Sequence, residues 1–467
     1  MFKNYLLYYL TAFTTFISLT SCNKVFENEG FTAYFGGEIL NPQDSIIIFL
    51  KDGKVIDTIT LDKNNRFLHK FDSLTPGLYT FQHTPEYQYI YFDKNDSLMI
   101  RLNTNDFDNS LSFCGRGDEK NNYLINQFLL NENERNDLYE LLDQDFITFS
   151  KNIDANYNKR KADYLKRRAE IGWSENFDKV AKAGIDLNYY FKKELYPFVH
   201  QYKTGESVHE MLPKDYYDFR KSIDFKNVEL ANFSPFIKYV TSMLNNLAFT
   251  KNNYKLDETS LDSNIYKLNV TDSLIKNKTI KNVILNNIAY MYLLQDQNMC
   301  SNTKFFEKYL ELSTDVEQQN EVRSIYNAVQ NLNVGKKLPE ISLVDKNFNS
   351  ITTENLSKGK ETVIFFWSTE ALSHFNFVHK KVESYRKLFP NVQFIGVNIN
   401  DTNENWVATL NQNKTLGITE LKSTNFAQVK EKWVITKIHR TIILNPDGSI
   451  KNAFANLLDV DFGKELK

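Results

Sequence analysis

The sequence predicts a multidomain α+β chain: a small N-terminal β-sandwich over residues 31–115, an all-α region over 119–334 and an α/β region over 335–467. Three observations predict it. Apolar runs of strand length recur through the first region, and apolar residues at helical spacing fill the second. In the third, strand-like and helical segments alternate. At 467 residues the chain has room for about three domains. A formal net charge of −2 gives no electrostatic basis for nucleic-acid binding.

The N-terminus reads as an address. Lys3 supplies a positive start, and Tyr5 to Ile17 is an apolar stretch too short and too broken by Thr to span a bilayer comfortably. It ends in Leu19-Thr20-Ser21-Cys22, which matches the bacterial lipobox. The order has a chemical reason: the thiol accepts the lipid, and small residues before it let the signal peptidase close on the bond. Residues 1–22 are therefore expected to be a lipoprotein signal peptide and 23–30 a polar tether. Cys22 would hold the protein on a membrane of the cell envelope, at the outer membrane, on its periplasmic or its surface face. Cys114 and Cys300 then remain as thiols, too few for a disulfide framework and not at metal-site spacing. They are expected to be separate and buried.

Within 31–115, strands are expected at Phe31–Phe35, Ser45–Leu50, Val55–Leu61, Phe67–Phe71, Leu78–His83, Tyr89–Phe92 and Leu98–Leu102. Turn chemistry separates them, as in Asn41-Pro42-Gln43-Asp44 and Lys51-Asp52-Gly53. Val55, Asp57, Ile59 and Leu61 alternate as one buried face requires. Seven strands with regular turns point to a small sandwich. Arg116-Gly117-Asp118 reads as a polar connector.

Within 119–334, apolar stripes recur at Tyr123, Leu124, Phe128, Leu129 and Leu130, and again at Leu138, Leu141, Leu142 and Phe146. Lys159 to Glu170 reads as a charged, solvated helix face. Later stripes are Phe236, Tyr239, Val240, Met243, Leu244 and Leu247, then Val283, Ile284, Ile288, Ala289, Met291 and Tyr292. Pro213 and Pro235 mark helix starts. These aromatic stripes read as core, and His200 and His209 as structural or exposed.

Within 335–467, strands are expected at Thr362–Trp367, Val392–Ile399 and Thr441–Leu444. Helices are expected at Ser373–Leu388, Asn403–Asn411 and Phe426–Trp433. Such alternation implies a parallel or mixed sheet covered by helices.

This region resembles the thioredoxin-like TlpA/ResA family of membrane-tethered disulfide reductases. Gly335-Lys336-Lys337-Leu338-Pro339-Glu340-Ile341-Ser342-Leu343 looks like the family's entry strand, and Asn347–Leu356 like its hairpin, with Asn349 where Gly is usual. Gly359-Lys360-Glu361-Thr362-Val363-Ile364-Phe365-Phe366-Trp367 is similar to its first core strand, and Asn445-Pro446-Asp447-Gly448-Ser449-Ile450 to its late hairpin. The resemblance implies a C-terminal thioredoxin-like α/β domain. The whole order, a β domain, a helical middle and a thioredoxin-like end behind a lipobox, looks like an envelope architecture of the Bacteroidetes.

The chemistry of the family is missing. Its Phe-Trp is followed by Ala-Thr-Trp-Cys-x-x-Cys, whereas Trp367 is followed by Ser368-Thr369-Glu370-Ala371-Leu372-Ser373-His374. By this resemblance Ala371 holds the seat of the nucleophilic cysteine and His374 that of the resolving one. The mechanism needs a thiolate at a helix N-terminus and a second thiol one turn on. The family's cis-proline loop falls on Ile438-His439-Arg440-Thr441, with His439 at the proline, so a trans peptide is expected there.

The expected function is a redox-inactive, thioredoxin-like lipoprotein that binds an envelope protein or a peptide and needs no cofactor. The candidate surface is Trp367, Glu370, Ser373, His374, His439 and Arg440. Two alternatives stay open. His374 and His439, with Glu370 and His379 at the same end of the fold, would make a metal site; an unconventional thiol would make a residual oxidoreductase.

Overall fold

The computed structural model describes residues 30–466 except 256, 258, 296, 297, 414–416 and 460. Cys22 and its lipobox lie outside the described residues. The chain divides into two compact units. One runs to Glu132 and takes in Arg167–Lys179; the other holds Asn133–Lys166 and everything from Val180 onward.

In the first unit eight strands form: β1 (Ala33–Leu40), β2 (Ile46–Lys51), β3 (Lys54–Thr60), β4 (Arg66–Phe71), β5 (Gly77–His83), β6 (Glu86–Phe92), β7 (Ser97–Asn103) and β8 (Ser112–Arg116). They make two four-stranded sheets, ordered β4-β1-β7-β8 and β3-β2-β5-β6. The sheets meet through aromatic side chains. Phe35 of β1 stands 5.7 Å from Phe49 of β2 and 5.5 Å from Phe81 of β5, ring to ring. Strand β8 exceeds the seven expected. Of its five residues only Phe113 is buried, so it offers no alternation to read. Cys114 follows Phe113, points to the opposite face and is exposed; Cys300 is exposed as well. The expectation that both thiols are buried is thus corrected.

Helix α1 (Asp118–Leu141) starts with three consecutive residues that tie it to the strands. Lys120 bridges Asp93 at 3.0 Å and also pairs with the buried Asp96. Asn121 accepts from the Tyr91 amide of β6 at 2.7 Å and donates to the Tyr91 carbonyl at 2.9 Å. Asn122 does the same for Phe113 of β8, at 3.0 and 2.9 Å. Strands β6 and β8 are each the last strand of a sheet, so two asparagine amides pair backbone groups that an edge strand leaves open. The segment 167–179 belongs to this unit through its rings: Trp173 packs on Tyr123 at 4.9 Å and Phe177 on Tyr91 at 5.1 Å.

Among the described residues seven longer helices follow before the last region: α2 (Phe146–Ile171), α3 (Glu175–Thr204), α4 (Ser234–Lys251), α5 (Leu261–Leu274), α6 (Lys278–Leu293), α7 (Met299–Leu312) and α8 (Val316–Asn331). Pro235 opens α4 as expected, but Pro213 closes a turn with the Tyr216 amide and starts no helix. The expected stripes of α4 and α6 are buried except Leu247 and Val283, which are partly exposed, and Met291, which is half exposed. His200 is buried, its Nδ1 2.9 Å from the Leu142 carbonyl. Glu194, fully buried, receives a two-pronged Arg220 guanidinium at 2.6 and 2.7 Å and the Asn246 amide at 2.8 Å. Leaving that carboxylate unpaired would cost several kcal/mol (about 3–5).

The last region is a seven-stranded mixed sheet ordered β10-β9-β13-β12-β11-β14-β15. Its strands are β9 (Leu343–Val344), β10 (Ser350–Ile351), β11 (Thr362–Trp367), β12 (Gln393–Asn398), β13 (Thr419–Ser423), β14 (Arg440–Leu444) and β15 (Ile450–Asn456). Strands β11, β12 and β13 run parallel, and β14 pairs antiparallel with β11. Helices α9 (Leu372–Leu388), α10 (Asn403–Gln412) and α11 (Phe426–Lys432) separate them. One face of β11, with Val363, Phe365 and Trp367, packs against Phe375, Val378 and Val382 of α9 and Trp406 of α10. The other face, with Ile364 and Phe366, shares its core with Trp433 and with Val329 and Leu332 at the end of α8. The helical region thereby contributes its last helix to the sheet's own core.

One prediction follows from the helix start. Asn121→Ala removes both partners of a buried edge amide and carbonyl, so the chain should lose about 1–3 kcal/mol of stability. Asn122 is half exposed, water can replace its amide, and Asn122→Ala should cost less. Urea unfolding read together with hydrogen exchange at Tyr91 checks this; an Asn121→Ala chain with wild-type protection at Tyr91 would remove the bracing role.

Candidate functional site

The parallel strands end side by side, and the loops leaving β11 and β12 are laced together there. Ser368 donates from its hydroxyl to Asp401 at 2.8 Å, and the Thr369 amide donates to the other Asp401 oxygen at 2.8 Å. Asn398, the last residue of β12, donates its amide to the same carboxylate, and the Ile399 amide donates to the Trp367 carbonyl at 3.1 Å. Asp401 is buried, so these bonds replace the water it has lost. The result is a fixed turn, Ser368 to Ala371, that launches α9.

Beneath the turn lies a second polar cluster. Glu420 sits on β13 with its carboxylate fully buried. It accepts from the Trp367 indole at 3.0 Å, and its other oxygen is 3.0 Å from Nε2 of His379. Nδ1 of His379 is 2.8 Å from the Phe375 carbonyl, a pure acceptor, so Nδ1 carries a hydrogen. The Nε2 contact engages the second ring nitrogen, so the imidazole is held at both ends. Gly396, paired with Glu420 across β12, makes the reach possible: a Cβ there would stand 2.5 Å from the carboxylate.

The expected site residues fall into two groups. Ala371, Leu372, Ser373 and His374 start α9, and Glu370 precedes them with its carboxylate 3.2 Å from the Asn400 amide. Nε2 of His374 faces the Phe366 carbonyl at 3.1 Å, so the ring folds back over the strand end. His439 stands close enough to feel it. Burial, Lys437 and His374, in that order, hold the His439 imidazole below the usual histidine range. The peptide before His439 is trans. Trp367 and Arg440, by contrast, are buried and form no surface: the indole closes on Glu420 and the guanidinium on backbone carbonyls. His379 is likewise not beside His374 but in the core with Glu420. Among the described residues no group of three His, Cys, Asp or Glu side chains could hold a metal ion.

Sequence reasoning missed Asp401, Glu420 and Gly396. The signal for Glu420 was faint but present. Thr-Glu-Leu-Lys-Ser is a charged five-residue run inside an apolar α/β region, and Glu420 and Lys422 are both buried. A Gly396→Ala chain should therefore lose the Trp367–Glu420 bond and about 1–3 kcal/mol of stability through overpacking. The Trp367 indole N–H resonance and the melting temperature report it; an unshifted resonance would mean that the carboxylate has room to spare.

A thioredoxin-like family model matches residues 359–450. No curated protein matches the chain. Solved structures similar to the C-terminal region include a protein described as a thiol-disulfide oxidoreductase from Bacteroides vulgatus. It is 24% identical, with 29% of this chain and 96% of that one covered and a TM-score of 0.27. The C-terminal domain of one so described from Bacteroides thetaiotaomicron is 22% identical over 29% of this chain and 93% of that one, with a TM-score of 0.25. A domain described as a thiol-disulfide isomerase from Cytophaga hutchinsonii is 18% identical over 27% and 88%, with a TM-score of 0.25. From Gly359 to Ile450, then, the chain is a thioredoxin-like domain.

Proposed function

We propose that this protein is an envelope lipoprotein of the TlpA/ResA kind whose thioredoxin-like domain docks a polypeptide without exchanging disulfides. One observation carries the reading. The residue at the N-terminal cap of α9, where a thiol–disulfide enzyme needs its thiolate, is Ala371, and no cysteine follows Cys300 in the sequence. A methyl group offers neither a nucleophile nor a leaving group for exchange. His374, one turn on, forms no disulfide.

What supports docking is the surface around that position. Leu372 is 52% exposed and Phe377 57% exposed, both in the first two turns of α9, while Phe375 and Val378 between and beside them are buried. These exposed apolar side chains are the ones that a docked polypeptide would cover. His374 and His439 border it. The lipidated Cys22 would anchor the chain; among the described residues no helix is long and apolar enough to cross a membrane.

Three experiments test the parts separately. The soluble chain from Asn23 onward should not accelerate insulin reduction by dithiothreitol; measurable turnover would end the redox-inactive reading. A photo-crosslinking amino acid at position 372 or 377, in envelope extracts, should trap polypeptide adducts that the same probe at Lys159 does not; equal trapping at all three would end the docking reading. For the anchor, Cys22→Ser should abolish metabolic palmitate labelling and move the protein from the membrane to the soluble fraction.

A further inference from the structure

The segment joining α11 to β14 has buried ends and an exposed middle. Trp433, Val434 and Ile435 are buried, Thr436, Lys437 and His439 are exposed, and Arg440 is buried again, 7% exposed. Trp433 donates its indole N–H to the Pro339 carbonyl at 2.7 Å and fixes one end. The next residue is unusual. Val434 has φ of +53°, in the left-handed region that a β-branched side chain disfavours strongly. A residue persists there only where its surroundings over-determine it.

Arg440 supplies that constraint. Its guanidinium donates through Nη1 to the Val434 carbonyl, and through Nη2 and Nε to the Ala453 carbonyl at 2.7 and 3.2 Å. Its Cζ lies 4.0 Å from the centre of the Phe454 ring. Among the described residues no carboxylate pairs with it, and burial alone pulls its proton affinity down to about 9. An arginine buried for charge neutralisation would face an acid. This one spends its donors on two backbone carbonyls, one from the segment and one from β15. The Val434 carbonyl also accepts from the Thr436 amide at 3.0 Å, and the Arg440 amide closes on the Lys437 carbonyl at 3.1 Å, so the exposed middle is a tight turn hung between these bonds.

We propose that Arg440 is the positioning residue of the docking surface: its buried guanidinium locks Val434 in the left-handed turn and so sets where Lys437 and His439 stand beside the start of α9. The inference deepens the docking reading and rests on it. The lock itself can be measured without any partner.

Hydrogen exchange of the soluble chain tests it. In Arg440→Met, the amides of Ile435, Thr436 and Arg440 should exchange at least tenfold faster while those of β11 and β12 keep their wild-type rates. Adding Val434→Gly removes the strain that the arginine holds, so the double variant should recover a large part of the protection. Unchanged exchange at the three amides, or an equal rise throughout the sheet, would overturn the proposal. If Arg440→Met does not fold, Arg440→Lys gives the same comparison, since an ammonium cannot reproduce the planar fork across two carbonyls. Loss of crosslinking at position 372 with an intact lock would instead count against docking.

Discussion

The buried carboxylate of Glu420 is the constraint around which the C-terminal domain is arranged. A carboxylate taken out of water needs donors at short range, and the nearest ones belong to other elements. Trp367 comes from the end of β11 and His379 from the second turn of α9. Strand β12 lies between Glu420 and β11, and it has to be bare at Gly396 for the bond to pass. Meeting that one demand fixes the spacing of three strands and the seat of the helix above them. The turn that Asp401 holds then rests on a floor that cannot shift, and the start of α9 has a defined position although no sulfur stands there.

Much of this fold was legible in the chain, because apolar period and turn chemistry are local. Thr362–Trp367 reads as a strand, since six consecutive residues are apolar or β-branched and all six are buried on both faces. Ser373–Leu388 reads as a helix and Leu372–Leu388 forms one, with Phe375, Val378, Val382 and Tyr385 buried at helical spacing. The misses share a physical cause. Strand β8 has one inward side chain, and β13 carries Glu420 and Lys422 where a strand pattern wants apolar residues. Their partners come from elements far along the chain, and no local rule foretells them. The site was half legible for the same reason. Alanine at 371 is plain from one aligned motif, whereas the burial of Trp367 and Arg440 depends on which carbonyls and carboxylates the fold brings to them.

A common device recurs in both units: a polar side chain that binds backbone or charge on an element distant in sequence. Asn121 and Asn122 serve the last strands of two sheets, and Glu194 gathers Arg220 and Asn246 from two other segments. Such contacts add little net stability each, since folding forms them in place of bonds to water. They add uniqueness, because each works in one register and leaves an unpaired group in any other.

The packing of α8 has a consequence for how this protein can be built and rebuilt. Val329 and Leu332 are as much a part of the sheet's interior as Ile364 or Phe366, although they precede the first strand of that sheet. A thioredoxin-like segment cut at its sequence-motif boundary would carry a greasy scar where the helix had lain. Recombination between relatives would then favour joints upstream of residue 316, and the unit inherited intact would be the helix together with the sheet.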